Sequence, residues 1–187
     1  MPRLFISINC NDETKKQLIS VQEKIKAQSE KGNYSRPENL HLTLAFLGET
    51  PQEQVEAIRS CMNEILKPPA ASFYLAFSQT GFFRRGNKEL WWIGVDHKDS
   101  SVNILNDLRQ RITSSLSSKK IYFDNKDFKP HITLGREITH NARERSIIIP
   151  EQKIIYPVNR ISLMKSEHIS RTLVYTEIYG ANLEFCK

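Results

Sequence analysis

The stretch HLTLAFLG, His41–Gly48, is the segment on which the interpretation of the fold depends. Its apolar residues are typical of a buried strand, yet it begins with histidine and carries threonine two residues later. Because strand side chains alternate between two faces, His41 and Thr43 point one way while Leu42 and Leu44 point the other. The leucine face is expected to pack on a helix. The other face therefore presents an imidazole and a hydroxyl outside the core.

The same pattern occurs again in HITLGR, His131–Arg136. There His131 and Thr133 alternate with Ile132 and Leu134, so a second strand also offers an imidazole and a hydroxyl on one face. A single copy of this pattern is more often a core histidine bonded to the backbone. Two copies favour the hypothesis that both polar faces belong to one site.

The composition is that of a folded protein, with 39% hydrophobic and 26% charged residues among 187. Such a chain is long enough for a single domain over residues 1–187, or for two small lobes that share a core. A net charge of +6 favours polyanionic partners, although charge that only maintains solubility explains it equally well.

The sequence carries no signal of a secreted or membrane protein. Cys10, Cys61 and Cys186 are odd in number and form no metal-like cluster, which favours a reducing compartment. We expect these cysteines to be small buried groups. The N-terminal stretch MPRLFISINC does not have the pattern of a signal peptide, and no window reaches the roughly 18 apolar residues of a membrane span. These observations predict a cytoplasmic protein without a membrane partner.

The first half of the chain predicts a strand, a helix, the first motif strand and a second helix. The alternating segment Arg3–Asn9 is the strand, and the first helix is capped by Asn11 or Asp12 and broken by KGNYS from Lys31. The second helix begins at a capping box, Thr50–Glu53. Its apolar stripe and the double proline that closes it are Val55, Ile58, Met62, Ile65, Pro68 and Pro69.

The second half predicts a hairpin, a helix, the second motif strand and a closing hairpin. FYLAF and ELWWIGVD flank a basic turn around Arg84–Lys88. Trp91 and Trp92 adjoin in this hairpin and point to opposite faces, so we expect one in the core and one beside a cleft. Ser101 is expected to cap the helix that leads to HITLGR. Two β-rich runs, KIIYPVNRISLMKSEHIS and TLVYTEI, then form the closing hairpin.

A unit of strand, helix and motif strand therefore occurs twice. LFISIN leads through a helix to His41, and LWWIGVD leads through a helix to His131. This internal symmetry predicts a pseudo-twofold pair of lobes that brings the motifs face to face in a cleft.

Two imidazoles and two hydroxyls in one cleft suit a phosphoryl group that is attacked on one side and expels its leaving group on the other. One neutral histidine takes a proton from the nucleophile, and one imidazolium gives a proton to the departing oxygen. The hydroxyls of Thr43 and Thr133 can donate to the non-bridging oxygens. This chemistry requires neither a metal nor another cofactor. The spacing does not decide whether His41 or His131 is the acid.

HLTLAFLG and FKPHITLGR resemble the two HxTx signatures, here 41–44 and 131–134, of the two-histidine phosphoesterase superfamily. They are similar in particular to those of the bacterial RNA 2′,3′-cyclic phosphodiesterases, also called 2′-5′ RNA ligases. The resemblance extends to the first strand, the GFF…LWWIGV hairpin and the SEHIS…Y hairpin, so it covers most of the chain. It implies a bilobal α+β fold, in which two antiparallel β-sheets are flanked by helices and the active-site cleft lies between the lobes.

The resemblance also implies hydrolysis of a terminal 2′,3′-cyclic phosphate to a 2′-phosphate. In that reaction His41 is the proton donor to the leaving 3′-oxygen, and His131 is the proton acceptor that activates water. The expected partners are RNAs with 2′,3′-cyclic phosphate ends, such as cleaved tRNA halves, and the expected enzyme is a monomer. Reversible 2′-5′ ligation of such ends is a further expectation.

The two motif strands differ five residues after each histidine, at Phe46 and Arg136. Strict alternation places both side chains on the core face, but Gly135 permits a bulge that re-aims Arg136. The resemblance implies that Arg136 binds phosphate and that Phe46 stacks on the terminal base. An ordinary core aromatic and a solvated charge at the strand end are the alternatives.

A few other features carry weaker hypotheses. A basic rim for an RNA backbone is one, with solvated loops as the alternative; its residues are Arg84, Arg85, Lys88, Lys126 and Lys129. His97, His140 and His168 fall outside the motif pattern and receive no chemical role. Rival functions are hydrolysis of another substrate, namely a small cyclic nucleotide, ADP-ribose cyclic phosphate or a 2′-5′ oligoadenylate, and RNA-end binding without turnover.

Overall fold

The computed structural model describes residues 1–67, 70–140 and 146–184. Within these ranges the chain forms nine strands, β1 Arg3–Asn9, β2 Lys31–Tyr34, β3 His41–Glu49, β4 Phe73–Arg85, β5 Lys88–Val95, β6 His131–Thr139, β7 Ile154–Val158, β8 Arg160–Ile169 and β9 Thr172–Asn182. Its α-helices are α1 Asp12–Ala27, α2 Val55–Glu64 and α3 Ser101–Ser118, and two 3₁₀ turns lie at Pro37–Asn39 and Gln52–Gln54.

The strands form one sheet in the order β7-β4-β5-β6-β3-β1-β8-β9, and β2 pairs with β6 outside this order. The pairings between these strands are antiparallel. The predicted α+β class with antiparallel strands and helices is therefore confirmed. The resemblance implies two sheets, but the strands here form one sheet, joined between β3 and β6 at the pair Leu42 and Ile132. The bilobal arrangement stays a prediction.

The two motif strands occupy equivalent positions, as the repeat predicts. β1 leads through α1 to β3 and pairs with it, and β5 leads through α3 to β6 and pairs with it. The sequence predicts only a helix break at KGNYS, but the first four residues of this stretch form β2, which pairs with β6. The sequence does not predict this strand, because it is short and polar and because β6, with which it pairs, lies far along the chain.

Each motif strand has a bulge directly after its threonine. In β3, Ser7 pairs with Thr43 and Ile6 with Ala45, so one extra residue stands between these pairs. The equivalent irregularity in β6 lies between Thr133 and Gly135. A bulge shifts the alternation of side chains between the two sheet faces by one residue. Side chains after the bulge that would otherwise point to the core therefore point to the polar face.

Phe46 and Arg136 are these re-aimed side chains. Both flanking residues of Phe46 are buried, whereas Phe46 itself is half-buried and Arg136 is exposed. The predicted re-aiming of Arg136 at Gly135 is confirmed. The first motif strand, β3, makes the same shift at Ala45, where it has no glycine.

The start of α1 agrees with the prediction, since the Asn11 side chain accepts a hydrogen bond of 2.9 Å from the backbone N–H of Thr14. The predicted capping box is wrong. The Thr50 hydroxyl donates instead to the Gly48 carbonyl at 3.2 Å, and a 3₁₀ turn without a side-chain cap precedes α2.

The Ser101 cap of α3 is also wrong, because the Asp99 carboxylate accepts from the backbone N–H of Ser101 at 2.9 Å. A carboxylate two residues earlier is a stronger acceptor than a serine hydroxyl. Pro68 and Pro69 lie outside the described residues, and α2 already ends at Glu64.

The hairpins follow the prediction in outline. Arg85 pairs with Lys88 across a two-residue turn in which Gly86 has φ +62°, a value that favours glycine. β8 and β9 form the closing hairpin. The first β-rich run of the tail divides at Asn159, and its first part, β7, pairs with β4 at the sheet edge instead.

The inner faces of the motif strands belong to one hydrophobic core with the apolar stripes of the helices. Its members include Leu42, Leu44, Ile132 and Leu134 from the strands, Leu18, Val21 and Ile25 from α1, and Leu105, Leu108, Ile112 and Leu116 from α3. Cys10 and Cys61 are buried as predicted, whereas Cys186 lies outside the described residues. Trp91 is fully buried and Trp92 half-buried, so the prediction of one core tryptophan is confirmed.

We expect Leu42→Ala to lower the free energy of unfolding by about 2–5 kcal/mol, because Leu42 is buried at the joint between the two motif strands. Ile104→Ala is the matched control, since Ile104 on α3 is 48% exposed and its truncation should change stability by less than about 1 kcal/mol. Urea denaturation followed by circular dichroism measures both values. Equal losses in the two variants would contradict the central role of the joint.

Candidate active site

The four motif side chains lie next to one another on one face of the sheet. Leu42 pairs with Ile132, and continuation of the antiparallel register places His41 opposite Thr133 and Thr43 opposite His131. All four side chains are half-buried, in contrast to their buried neighbours in sequence. The motifs are thus brought together as predicted, but as neighbours on adjoining strands around a local twofold axis.

Both histidines are held in the same tautomer by the backbone. The Nδ1–H of His41 donates to the Asn39 carbonyl at 2.7 Å, and the Nδ1–H of His131 donates to the Lys129 carbonyl at 2.5 Å. In the neutral rings the Nε2 atom therefore carries the lone pair. The Thr43 hydroxyl donates to Nε2 of His41 at 3.1 Å, which shows this nitrogen acting as an acceptor. The pair of rings can take up or release protons at Nε2.

The surroundings favour the neutral form of both rings. Burial lowers the pKa of His41 to about 4, and the nearby Arg136 and His131 act in the same direction. Burial and Arg136 likewise lower the pKa of His131. Both imidazoles are therefore neutral at pH 7 in the unliganded protein. A bound anion would offset the positive charge of Arg136 and raise both pKa values.

Aromatic side chains enclose His41. Its ring centre lies 4.8 Å from that of Phe5 and 5.2 Å from that of Tyr175. The Tyr175 ring meets it edge-on, with an angle of 87° between the two ring planes. The pocket on this side also contains Phe46, whose ring lies 5.0 Å from the Arg3 guanidinium carbon. The complete lining is Arg3, Phe5, His41, Thr43, Phe46, Arg136, Ser166, His168, Leu173 and Tyr175. Phe46 is thus a wall of this pocket and not an ordinary core aromatic.

A second pocket adjoins the first. It is lined by Asn33, Tyr34, Ser35, Arg36, Asn39, His41, Thr133, Arg136, Leu173 and Tyr175. His41 and Arg136 contribute to both pockets, so the guanidinium lies between them and close to both motifs. A cation in this position can bind an anionic group that contacts either histidine.

Several lining residues were missed by sequence reasoning. Phe5, Tyr175 and His168 belong to the first pocket, although the sequence pattern assigns no role to His168. Only the resemblance of the closing hairpin signalled Tyr175, because no local pattern connects β9 to His41. His140 is a structural residue, since its Nε2 lies 3.2 Å from the buried Glu89 carboxylate.

The proposed basic rim is largely occupied by contacts within the protein. Arg84 pairs with Glu89 at 3.5 Å, and Lys88 pairs with Glu137 at 2.8 Å. Lys126 pairs with Asp124 at 2.8 Å, and Lys129 Nζ lies 5.8 Å from the Phe83 ring centre. Contact of this rim with RNA stays a prediction.

The described residues contain neither a metal-binding cluster nor a membrane-spanning helix. In these ranges no cluster of three or more histidine, cysteine, aspartate or glutamate side chains is arranged to hold a metal ion. Likewise, none of the described helices combines the length and apolar character needed to cross a bilayer.

Comparisons with known proteins connect this site to a family. The sequence pattern of the family LigT like Phosphoesterase matches residues 8–92, which include the first motif. The RNA 2′,3′-cyclic phosphodiesterase of Escherichia coli is 30% identical over 177 residues, or 94% of this chain and 93% of that protein. The protein of the same name from Thermotoga maritima is 28% identical and covers 97% of this chain and 96% of its own length. Among solved structures, E. coli LigT complexed with 3′-AMP has a TM-score of 0.77 at 27% identity, covering 98% of this chain and 99% of that chain.

We expect Arg136→Gln to raise the pKa of both His41 and His131, because the substitution removes a positive charge that disfavours the imidazolium. Titration of the histidine Cε1–H resonances by NMR measures both pKa values. Arg84→Gln is the control, since Arg84 is paired with Glu89 and should leave both titrations unchanged. Unshifted titrations in Arg136→Gln would show that its guanidinium does not act on the motif.

Proposed function

Because the chain belongs to the family of LigT-like phosphoesterases, we propose that it is an RNA 2′,3′-cyclic phosphodiesterase. The supporting observation is the placement of His41 and Thr43 beside Thr133 and His131 on one sheet face, with both Nδ1 atoms bonded to carbonyls. This arrangement supplies one proton acceptor and one proton donor to a single phosphoryl group. The reaction is hydrolysis of a phosphodiester bond, and the side chains present can carry it out.

In the proposed reaction Nε2 of His131 takes a proton from water as the water oxygen forms a bond to phosphorus. The bond between phosphorus and the 3′-oxygen breaks, and the imidazolium of His41 gives its proton to that oxygen. The products are a 2′-phosphate and a 3′-hydroxyl. Proton exchange with solvent then restores both histidines.

The assignment of His41 as the donor follows the family resemblance, and the pKa imposes a condition on it. With a pKa of about 4 in the unliganded protein, His41 must gain its proton when the anionic cyclic phosphate binds. The substrate charge thus prepares the acid. Neutral His131, with a pKa below its usual range, is already competent as the base at neutral pH.

The other residues of the site bind the phosphate and the base. The hydroxyls of Thr43 and Thr133 donate to the non-bridging oxygens, and Arg136 balances the charge that develops there. Phe46 and Tyr175 in the first pocket provide aromatic surface for the terminal base.

The RNA substrates proposed are ends that carry a 2′,3′-cyclic phosphate, including tRNA halves, and the net charge of +6 supports attraction of RNA. We also propose a monomeric, cytoplasmic enzyme that carries out 2′-5′ ligation as the reverse of diester cleavage. The binding of 3′-AMP by E. coli LigT supports a nucleotide in such a site. No feature of the described residues favours a different cyclic nucleotide or a binding role without turnover.

We expect His41→Ala and His131→Ala each to lower the rate of cyclic phosphate hydrolysis by about 10²- to 10⁴-fold, because each removes one proton transfer. The assay uses a short RNA with a 2′,3′-cyclic phosphate end, in the presence of EDTA. His97→Ala is the control, since His97 is exposed and outside both pockets. Full turnover by either motif variant would refute the assignment.

We expect the product to be a 2′-phosphate, since the 3′-oxygen is the proposed leaving group. Mass spectrometry shows the addition of water, and comparison with authentic 2′- and 3′-phosphate standards by chromatography identifies the isomer. A 3′-phosphate product would reverse the direction of opening while leaving the two-histidine mechanism in place.

A further inference from the structure

A second aromatic surface lies beside His131 and has no role in the hydrolysis described above. Trp92 projects from β5 on the motif face, where its strand partners are Thr133 in β6 and Gly81 in β4. A Cβ atom at Gly81 would lie 2.4 Å from Trp92 Cζ2, and one at Gly94 would lie 3.0 Å from Trp92 Cζ3. The indole therefore lies flat across the backbone of two strands, on positions that only glycine leaves open.

Phe83 extends this surface toward His131. The Phe83 ring centre lies 5.4 Å from that of Trp92, with the planes inclined by 37°, and 5.7 Å from that of His131. The Trp92 and His131 ring centres are 6.0 Å apart. Trp92 and Phe83, which we call the Trp92 platform, are both half-buried and so keep part of their surface in solvent.

The platform has the features of a base-binding surface. Aromatic rings spread on a sheet face stack nucleobases in several RNA-binding folds, with little dependence on base identity. Lys129, whose Nζ lies 5.8 Å from the Phe83 ring centre, adds a positive charge at its border. Each catalytic histidine thus has its own aromatic neighbours, Phe5 and Tyr175 for His41 and the Trp92 platform for His131.

The position of the platform indicates which nucleoside it serves. In the proposed function the nucleoside with the cyclic phosphate occupies the His41 side, because its 3′-oxygen leaves toward His41. His131 takes the proton of the attacking group. A nucleoside stacked beside His131 would therefore place a hydroxyl where water otherwise attacks.

We propose that the Trp92 platform binds the base of a second nucleoside, whose 5′-hydroxyl replaces water as the nucleophile. The inference rests on the proposed function and adds an acceptor subsite to it. The 5′-oxygen gives its proton to Nε2 of His131 and bonds to phosphorus, the bond to the 3′-oxygen breaks, and His41 protonates that oxygen. The product is a 2′-5′ phosphodiester, and no other reactant is consumed.

Tryptophan fluorescence tests the binding step without catalysis. Trp91 and Trp92 are the two tryptophans of the chain, and Trp91 is fully buried. Adenosine should quench the fluorescence of the wild type and of Trp91→Phe by stacking on Trp92, and should not quench Trp92→Phe. Quenching that persists in Trp92→Phe, or is absent in the wild type, overturns the proposal.

Partition of the cyclic phosphate tests the reaction. RNA with a 2′,3′-cyclic phosphate is incubated with adenosine, and the ratio of 2′-5′ linked product to hydrolysed product is measured. We expect Trp92→Leu to lower this ratio by about 5- to 150-fold, the effect of losing one stacked base. Trp92→Phe should recover part of the loss. Tyr74→Leu is the matched control, since Tyr74 is a 65% exposed aromatic on β4 outside both pockets.

The outcomes separate the subsite from the proposed function. A wild-type protein that does not hydrolyse the cyclic phosphate refutes the function, while adenosine quenching still reports the subsite. Normal hydrolysis with an unchanged ratio in Trp92→Leu overturns the acceptor subsite alone. A raised KM for a dinucleotide but not a mononucleotide cyclic phosphate, with the ratio unchanged, would assign the platform to the preceding nucleotide of the same RNA and likewise overturn the proposal.

Discussion

The pairing of Leu42 with Ile132 is the contact on which the rest of the site depends. It joins the two halves of the sheet and sets the register in which each motif histidine meets the other motif's threonine. Antiparallel pairing has a local twofold axis, so two copies of one short pattern become a site with equivalent halves. The apolar side chains between the polar ones hold this register, because a slip by one residue would bury both imidazoles.

Within this register, backbone carbonyls determine which nitrogen of each motif histidine carries the proton. The carbonyls of Asn39 and Lys129 accept from Nδ1–H of His41 and His131 and thereby fix the tautomers of both rings. Burial and Arg136 then hold both rings neutral, which suits a base but not an acid. Protonation of the acid is thereby coupled to arrival of the anionic substrate, and the two equivalent halves acquire different protonation states only in the complex.

The sequence predicts those features that are governed by local alternation, such as the two polar faces and the buried leucines. It also predicts the re-aimed Arg136, since Gly135 makes a bulge possible. The starts of α2 and α3 are not predicted correctly, although Thr50 and Ser101 fit capping patterns. In the folded chain the Thr50 hydroxyl donates to the Gly48 carbonyl, and the backbone N–H of Ser101 donates to the Asp99 carboxylate. The walls around His41 could not be predicted, because Phe5 and Tyr175 reach the ring through strand pairings between distant segments.

The bulge after each threonine also limits how these strands can change in length. A bulge is one residue inserted into one strand, and here it is what returns Phe46 and Arg136 to the catalytic face. Loss of the extra residue would restore regular pairing and leave the pairs beyond it unchanged, whereas one further residue inserted there would turn Phe46 or Arg136 inward. The β4–β5 turn can vary in length without such an effect. Insertions during divergence are therefore expected to accumulate in that turn and not between each motif histidine and the fifth residue after it.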